Sequence, residues 1–309
     1  MAIVRSLEAV MLADSRPALL IRDDQFSIDA FDGYWGEKLS AARQPLESAI
    51  RATGGIETLD ETVPFVGTGF LIEPALVVTA DFVARALLSN VDGSLTDAWV
   101  NFRGEAHDDR ESRYRITEVL DLDERARVAI LRIDAASHRD PLEIADGGPR
   151  PEMDLCVVNY ASNDLRNKEA RVIETFGELF NIKRLSPGKV LGLESNEFKH
   201  DASTIGGASG SPVINVDDRL LGMHIGGQFL SHNSAIYGSI IRQRLNAVLS
   251  QPARPQDPTA ASVLSRVSAL KVPAGSAADD TPLRALGQTV DTVAQLRERR
   301  EIFGIDGVI

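Results

Sequence analysis

Cysteine is almost absent from this sequence of 309 residues, which contains only Cys156. One cysteine cannot form an internal disulfide, and it cannot supply the two or more thiolates that many structural metal sites use. The sequence therefore excludes a small scaffold held together by disulfides. We expect no metal ion and no other cofactor.

Long hydrophobic runs are absent as well. No segment approaches the roughly 18 consecutive apolar residues of a membrane-spanning helix. Residues 1–12 mix Arg5 and Glu8 with short apolar pairs, unlike the continuous hydrophobic region of a signal peptide. We therefore expect a cytoplasmic protein of bacterial type that does not associate with membranes.

Basic residues are fewer than acidic ones. The chain has 33 Lys and Arg residues against 45 Asp and Glu residues, which gives a formal net charge of -12. Such a charge repels phosphates, so we expect no nucleic acid as a partner. With 43% hydrophobic and 25% charged residues, the composition is that of a soluble globular protein and excludes disordered, collagen-like and coiled-coil chains.

Residues 1–53 are predicted to form an N-terminal arm and helix. The run Pro17–Arg22 is apolar and ends at acidic residues, which predicts a short strand or a tethering arm packed on the main body. Apolar residues then recur at three- and four-residue steps, which predicts an amphipathic helix: Trp35, Leu39, Ala42, Leu46 and Ile50. We expect Gly54 and Gly55 to end this helix and Pro45 to kink or break it.

Residues 54–250 have the pattern of a β-domain. Short apolar runs alternate with Gly, Asn, Asp and Pro, and no long helices intervene, which disfavours a parallel α/β sheet. The clear runs are Phe65–Ile72, Leu76–Thr79, Trp99–Phe102, Arg127–Ile133, Leu155–Tyr160, Pro212–Val216 and Leu220–Ile225.

The C-terminal part differs in composition. Residues 251–280 are rich in Pro, Ala and Ser and are predicted to be a linker. Residues 281–309 are predicted to contain an amphipathic helix over 281–303, with Pro282 in its first turn. Its apolar face needs a surface, either on its own β-domain or on another chain, and the sequence leaves both open.

A glycine-rich turn carries the candidate chemistry. Residues 204–212, here called the serine turn, place Ser209 between Ala208 and Gly210 just before an apolar strand. Glycines let the backbone curl tightly, so that the N–H groups of Gly207 and Ser209 could point at one oxyanion. By itself, such a match is more often only a tight loop before a strand.

Four blocks in the same order resemble the trypsin-like serine peptidases of bacteria. Residues 66–80 resemble their first hairpin, 128–133 the strand after the catalytic aspartate, and 200–212 with 221–227 the nucleophile region. The resemblance covers about residues 54 to 250. It implies two six-stranded antiparallel β-barrels with the catalytic site in the cleft between them, here with N- and C-terminal helical extensions.

Two positions depart from the pattern of that family. Matching Val78–Val83 to the histidine-bearing turn places Phe82 at the histidine, and Arg127 falls at the aspartate. Serine needs a base that removes its proton and a carboxylate that orients this base. A phenyl ring cannot accept a proton, and Arg127 is a cation where an anion is required. The neighbouring Asp81 is a doubtful substitute, because adjacent side chains normally point in different directions.

The resemblance also implies a substrate pocket. Ser203, six residues before Ser209, takes the position that sets side-chain preference. His224 is placed as a wall rather than a base, and three further residues line the edge: Ile225, Gly226 and Gly227. No fixed charge lies there, so an extended peptide with an uncharged or moderately polar side chain is expected. Ala208 replaces the usual Asn or Asp, which removes a brace of the oxyanion loop.

Three functions remain open on this reasoning. The favoured one is a pseudopeptidase that binds a polypeptide ligand or a protein partner in the old cleft. The second is an active serine endopeptidase that uses Ser209 with a rearranged or partner-supplied base. The third is a regulated component of a bacterial multi-protein system that is recruited through the C-terminal helix. The first is favoured because both residues that handle the proton are replaced.

Overall fold

The computed structural model describes residues 16–28, 33–59, 65–89, 91–106, 112–162, 170–177, 179–216, 219–228 and 231–251. Strands dominate, and the first six that follow the N-terminal region form one antiparallel barrel. They are β3 (Thr53–Thr58), β4 (Phe65–Glu73), β5 (Leu76–Ala80), β6 (Ala98–Asn101), β7 (Arg113–Asp123) and β8 (Val128–Ile133). The barrel closes in the order β3, β4, β5, β8, β7, β6.

A second antiparallel barrel follows in the chain. Its strands are β10 (Asp154–Tyr160), β11 (Lys183–Leu193), β12 (Glu197–His200), β13 (Pro212–Asn215), β14 (Arg219–Gln228) and β15 (His232–Tyr237). The order is β10, β13, β14, β15, β12, β11, and the pairing of β10 with β11 closes the ring. The short strand β9 (Glu143–Ile144) pairs in parallel with β14 outside this barrel. The expected double barrel is therefore confirmed.

The N-terminal arm is a small hairpin on the second barrel. It consists of β1 (Leu19–Arg22) and β2 (Gln25–Phe26), and β1 pairs with β11 through Leu19 opposite Leu185. The prediction that this segment forms a short strand or arm packed on the main body is thus confirmed.

The prediction of a single helix after the arm is wrong in two respects. The structure has two helices, α1 (Tyr34–Ala41) and α2 (Arg43–Ala52), and the break lies at Ala42 rather than at Pro45. Pro45 lies in the first turn of α2, where a missing N–H costs little. Gly54 does not stop a helix but lies in β3, where a Cβ would approach Val100 Cγ1 to 2.6 Å.

Three further helices are short. They are α3 (Asp81–Ala86), α4 (Ala170–Phe176) and α5 (Gly238–Leu249). Helix α5 joins the barrels, because Arg244 donates from Nε to Asp121 Oδ2 on β7 at 2.7 Å. No helix in the described ranges is long and apolar enough to cross a membrane. The predicted linker and C-terminal helix, beyond residue 251, lie outside the described residues.

A buried lysine fastens the two barrels together. Lys183 on β11 is fully buried, and its Nζ donates to Ile50 O at 2.9 Å and to Phe102 O at 2.8 Å. Burial lowers the pKa of Lys183 to about 8, an effect that the nearby Glu105 carboxylate opposes. Tyr160 on β10 also donates its hydroxyl to Arg103 O at 2.6 Å. These contacts fix the relative position of the barrel ends that bound the cleft.

Candidate functional site

Phe82 and Arg127, which the resemblance matched to a histidine and an aspartate, meet at the end of two paired strands. In the β5–β8 pair, Ala80 lies opposite Val128, so the residues that follow and precede them are neighbours. Asp81 N donates to Arg127 O at 3.4 Å. The Arg127 guanidinium carbon lies 5.9 Å from the centroid of the Phe82 ring. The structure thus brings together the two side chains that the sequence assigned to this corner.

The Asp81 carboxylate binds two arginine side chains. Its side chain is only 2% exposed, and its carboxylate accepts hydrogen bonds from Arg85 Nη2 at 2.8 Å and from Arg127 Nε at 3.4 Å. Arg127 adopts a positive φ of 60°, which is uncommon for a residue with a side chain. The carboxylate at this corner therefore binds guanidinium groups.

The serine turn is fixed to β4 by a threonine. Thr68 N donates to Ser209 O at 2.9 Å, and Thr68 Oγ1 donates to Gly207 O at 2.9 Å. Thr79 Oγ1 in turn donates to Thr68 O at 2.7 Å. Gly210 has φ of 90°, and a Cβ there would lie 2.0 Å from Thr68 O. Only glycine fits at that position, because both its dihedral angle and the close contact exclude a side chain.

Gly67 lies between the serine turn and helix α3. A Cβ on Gly67 would approach Val83 Cγ2 to 2.6 Å and Ser209 O to 3.1 Å. The helix that carries Phe82 therefore packs close to the serine turn. Gly207 itself is half-buried and has φ of 95°, a conformation that glycine adopts without strain.

The N-terminal arm contributes to the wall of the predicted pocket. Ser203 is fully buried, and its hydroxyl donates to Arg16 O at 2.5 Å. The Arg16 guanidinium pairs with Asp201 at 2.6 Å. Sequence reasoning missed this contact, because Arg16 and Ser203 are 187 positions apart and no pattern connects them. The Ser203 hydroxyl, which was expected to face a ligand, is therefore hydrogen-bonded to the N-terminal arm.

His224 forms a buried pair with His200. His200 Nε2 and His224 Nδ1 lie 3.2 Å apart, and both side chains are fully buried. Burial lowers the pKa of His224 to about 3 and the pKa of His200 well below its usual value, with the neighbouring ring adding to the latter effect. Both imidazoles are therefore neutral near pH 7. Sequence reasoning named His224 as a wall but missed its partner, although His200 ends β12 on its buried side.

Five buried polar atoms between residues 200 and 233 have no hydrogen-bond partner among the described residues. They are His200 Nδ1, His224 Nε2, Thr204 Oγ1, Ser211 Oγ and Asn233 Oδ1. A Cβ on Gly227 would lie 2.2 Å from Asn233 Oδ1. Of the predicted edge residues, Ile225 is buried, and Gly226 and Gly227 are half-buried. The segments that the resemblance assigns to the pocket therefore contain unpaired buried polar atoms that the sequence did not indicate.

Two other histidines could be considered as a base for Ser209, but the sequence indicates loop positions for both, since His107 lies in a polar run and His138 is flanked by Ser137 and Arg139. His138 is exposed, and His107 lies outside the described residues. Within the described ranges no group of His, Cys, Asp and Glu side chains could hold a metal ion.

Comparisons with known proteins agree with this architecture. A model of the trypsin-like peptidase domain matches residues 67–223. A probable serine protease of Lysobacter enzymogenes is 29% identical over an alignment of 293 residues, which covers 79% of this chain and 75% of that protein. A glutamyl endopeptidase of Staphylococcus epidermidis is 44% identical over 52 residues, 17% of this chain and 18% of that protein.

Two solved structures are also similar. The serine endoprotease from Yersinia pestis has a TM-score of 0.49 at 14% identity, with 71% of this chain and 67% of that chain covered. A protease from M. tuberculosis in its active form has a TM-score of 0.48 at 19% identity, with 68% and 86% covered. The domain match spans about half of the chain. The chain belongs to the family of trypsin-like peptidase domains.

Proposed function

We propose that this chain is a catalytically impaired member of its family that binds a polypeptide in the cleft between its barrels. One observation carries the proposal: Phe82 and Arg127 lie together, as a catalytic histidine and aspartate would, but offer a phenyl ring and a cation. Neither a phenyl ring nor a guanidinium can take the proton from a serine hydroxyl, and a hydroxyl that keeps its proton is a poor nucleophile. In serine peptidases, the loss of the base costs roughly 10⁶-fold in kcat.

The edge of the second barrel supports peptide binding. Residues 212–214 of β13 pair with β14 only as far as Met223, whereas β15 continues alongside β14 to Gln228. Among the described strands, Ile225–Gln228 therefore pair on one side only. An extended peptide can add to such an edge through main-chain hydrogen bonds.

The unpartnered polar atoms near His224 support a polar side chain as the ligand group. Neutral imidazoles and hydroxyls can donate hydrogen bonds to a carboxamide or carboxylate oxygen, and a buried donor left unpaired costs free energy. One relative is named a glutamyl endopeptidase. We therefore propose glutamine or glutamate as the residue that enters the pocket.

Fluorescence polarisation with labelled extended peptides tests the proposal. The peptides differ only in a central Gln, Glu, Leu or Lys. Those with Gln or Glu should bind with higher affinity than those with Leu or Lys. Ser209→Ala should bind them as wild type does, because binding does not need the hydroxyl. Equal binding of all four peptides, or none, would contradict the proposed ligand.

An active serine endopeptidase is the second candidate. The glycine geometry of the serine turn and the Lysobacter relative named a probable serine protease favour it. Ser209 would then use a rearranged base or one supplied by a partner. Cleavage of a peptide library by wild type, and not by Ser209→Ala, would support this candidate over the impaired one.

A further inference from the structure

A cavity of about 670 Å³ lies between the N-terminal hairpin and the end of helix α4. Its apolar wall includes Leu19, Phe26, Phe176 and Leu179. Pockets of this volume hold small organic ligands in many proteins. None of its lining residues belongs to the serine turn or to the exposed edge of β14, so it is separate from the proposed cleft.

A buried cation lines this cavity. Arg184 is 2% exposed, and its guanidinium donates to three main-chain oxygens: Ala18 O at 3.0 Å, Leu179 O at 2.8 Å and Phe176 O. Its Nε has no hydrogen-bond partner, and no carboxylate of the described residues pairs with it. Neutral carbonyls solvate a guanidinium but do not cancel its charge. A buried charge without a counter-ion is costly, so an anion nearby would be stabilised.

A second cation stands at the same cavity. Arg22 lines it with an exposed side chain that has no ion-pair partner among the described residues. The acidic residues next in the chain are directed elsewhere, since Asp24 lies 3.2 Å and Asp23 3.9 Å from the guanidinium of Arg103. No acidic residue lines the cavity in the described part of the chain. Among the described residues that line the cavity, the charged ones are therefore both cationic, within a chain whose net charge is -12.

We propose that this cavity binds a small organic acid that carries one carboxylate on an apolar body. Arg22 contacts the carboxylate directly, because a guanidinium offers a fork of donors that matches a carboxylate. The buried charge of Arg184 adds an attraction that water screens little. The apolar body lies against Phe26 and Phe176, where its burial supplies the remaining affinity.

Isothermal titration of the full chain with octanoate tests this site, with octanol and acetate as matched ligands. Octanoate should bind, and octanol and acetate should each bind at least about tenfold more weakly, since the first lacks the charge and the second the apolar body. Replacing Arg184 would also release the arm and α4, so Arg22 is the better variant. Arg22→Gln should weaken octanoate binding roughly tenfold.

Arg150→Gln is the control, because Arg150 is also exposed but does not line the cavity. It should bind octanoate as wild type does. Three results would overturn the proposal: no octanoate binding at millimolar concentration, equal binding of octanol, or wild-type affinity in Arg22→Gln.

Discussion

The Arg127 guanidinium faces the Phe82 ring, with its central carbon 5.9 Å from the ring centroid, while its Nε lies 3.4 Å from Asp81 Oδ1. The corner that the resemblance assigns to proton transfer is therefore built from an aromatic ring, a cation and a carboxylate that binds this cation. A cation over a ring face is favourable by about 0.5–1 kcal/mol at exposed sites. The contact between Arg127 and Phe82 is therefore favourable, but the phenyl ring cannot accept a proton.

Restoring the histidine alone should not restore activity. In Phe82→His the adjacent Arg127 would disfavour the charged imidazolium, and no carboxylate would orient the ring. Loss of the orienting aspartate lowers kcat about 10⁴-fold in serine peptidases. We expect Phe82→His to react with a fluorophosphonate much more slowly than Phe82→His with Arg127→Asp, by up to about 10⁴-fold. Reaction of the single variant at the rate of the double variant would contradict this account of the corner.

Glycine at position 210 should be essential for folding. Gly210→Ala places a Cβ 2.0 Å from Thr68 O at φ of 90°, so strain and overlap together should cost at least about 3 kcal/mol of the free energy of unfolding. Gly93→Ala is the matched control, because φ is 71° there and nothing lies within 4 Å of the added Cβ. It should cost only about 1 kcal/mol. Equal losses in urea unfolding would show that the contact with β4 does not matter.

The hydrogen bond between Thr68 and the serine turn should contribute measurably to stability. Thr68→Val leaves Gly207 O without its donor and should cost about 1–2 kcal/mol in urea unfolding. Thr117→Val removes an exposed hydroxyl that donates to Arg132 O at 3.3 Å, and it should cost less than about 0.5 kcal/mol. A Thr68→Val protein as stable as the control variant would mean that the bond is not important.

The buried histidine pair should make stability fall in acid. Both folded-state pKa values lie below about 6.5, the unfolded value, so the unfolded chain binds more protons once the pH falls below it. The two histidines therefore contribute their full stabilisation above about pH 6.5. As the pH falls below that value, each histidine lowers the free energy of unfolding by about 1.4 kcal/mol per pH unit. Between about pH 5.5 and 4.5, His224→Gln should therefore lose stability less steeply than wild type by about that amount.

His138→Gln is the control for this pH series, because His138 is exposed. Its slope should equal that of wild type, since both retain the buried pair and the same carboxylates. If the free energy of unfolding of His224→Gln also falls with pH as steeply as that of wild type, the buried pair titrates normally in the folded protein, which would contradict this prediction.

Each of the seven predicted apolar runs coincides with a strand, and three of them extend one residue beyond it. Runs of β-branched residues between turn residues favour strands. Strand β7 was missed because its side chains are mostly half-buried and many are charged. Apolar periodicity alone also hid the break at Ala42, since both helices bury the same face. Local patterns therefore predicted a β-domain and seven of its strands, whereas the two barrels were implied by the resemblance to trypsin-like peptidases.

The candidate site, too, could be predicted from the sequence only in part. Phe82 and Arg127 could be placed from sequence, since each adjoins a strand of recognisable pattern, and the β5–β8 register brings them together. The contact of Arg16 with Ser203 and the pairing of His200 with His224 join distant segments. Such contacts depend on how the arm and the second barrel close, which spacing along the chain does not encode.

Labelling of the full chain by a serine-reactive fluorophosphonate tests the central claim most directly, with an active trypsin-like peptidase as the positive control. If Phe82 and Arg127 leave the serine without a base, wild type should be labelled no more than Ser209→Ala over the time in which the control reacts completely. Strong labelling of wild type that Ser209→Ala abolishes would mean that the hydroxyl is activated, and would contradict the proposal of an impaired peptidase.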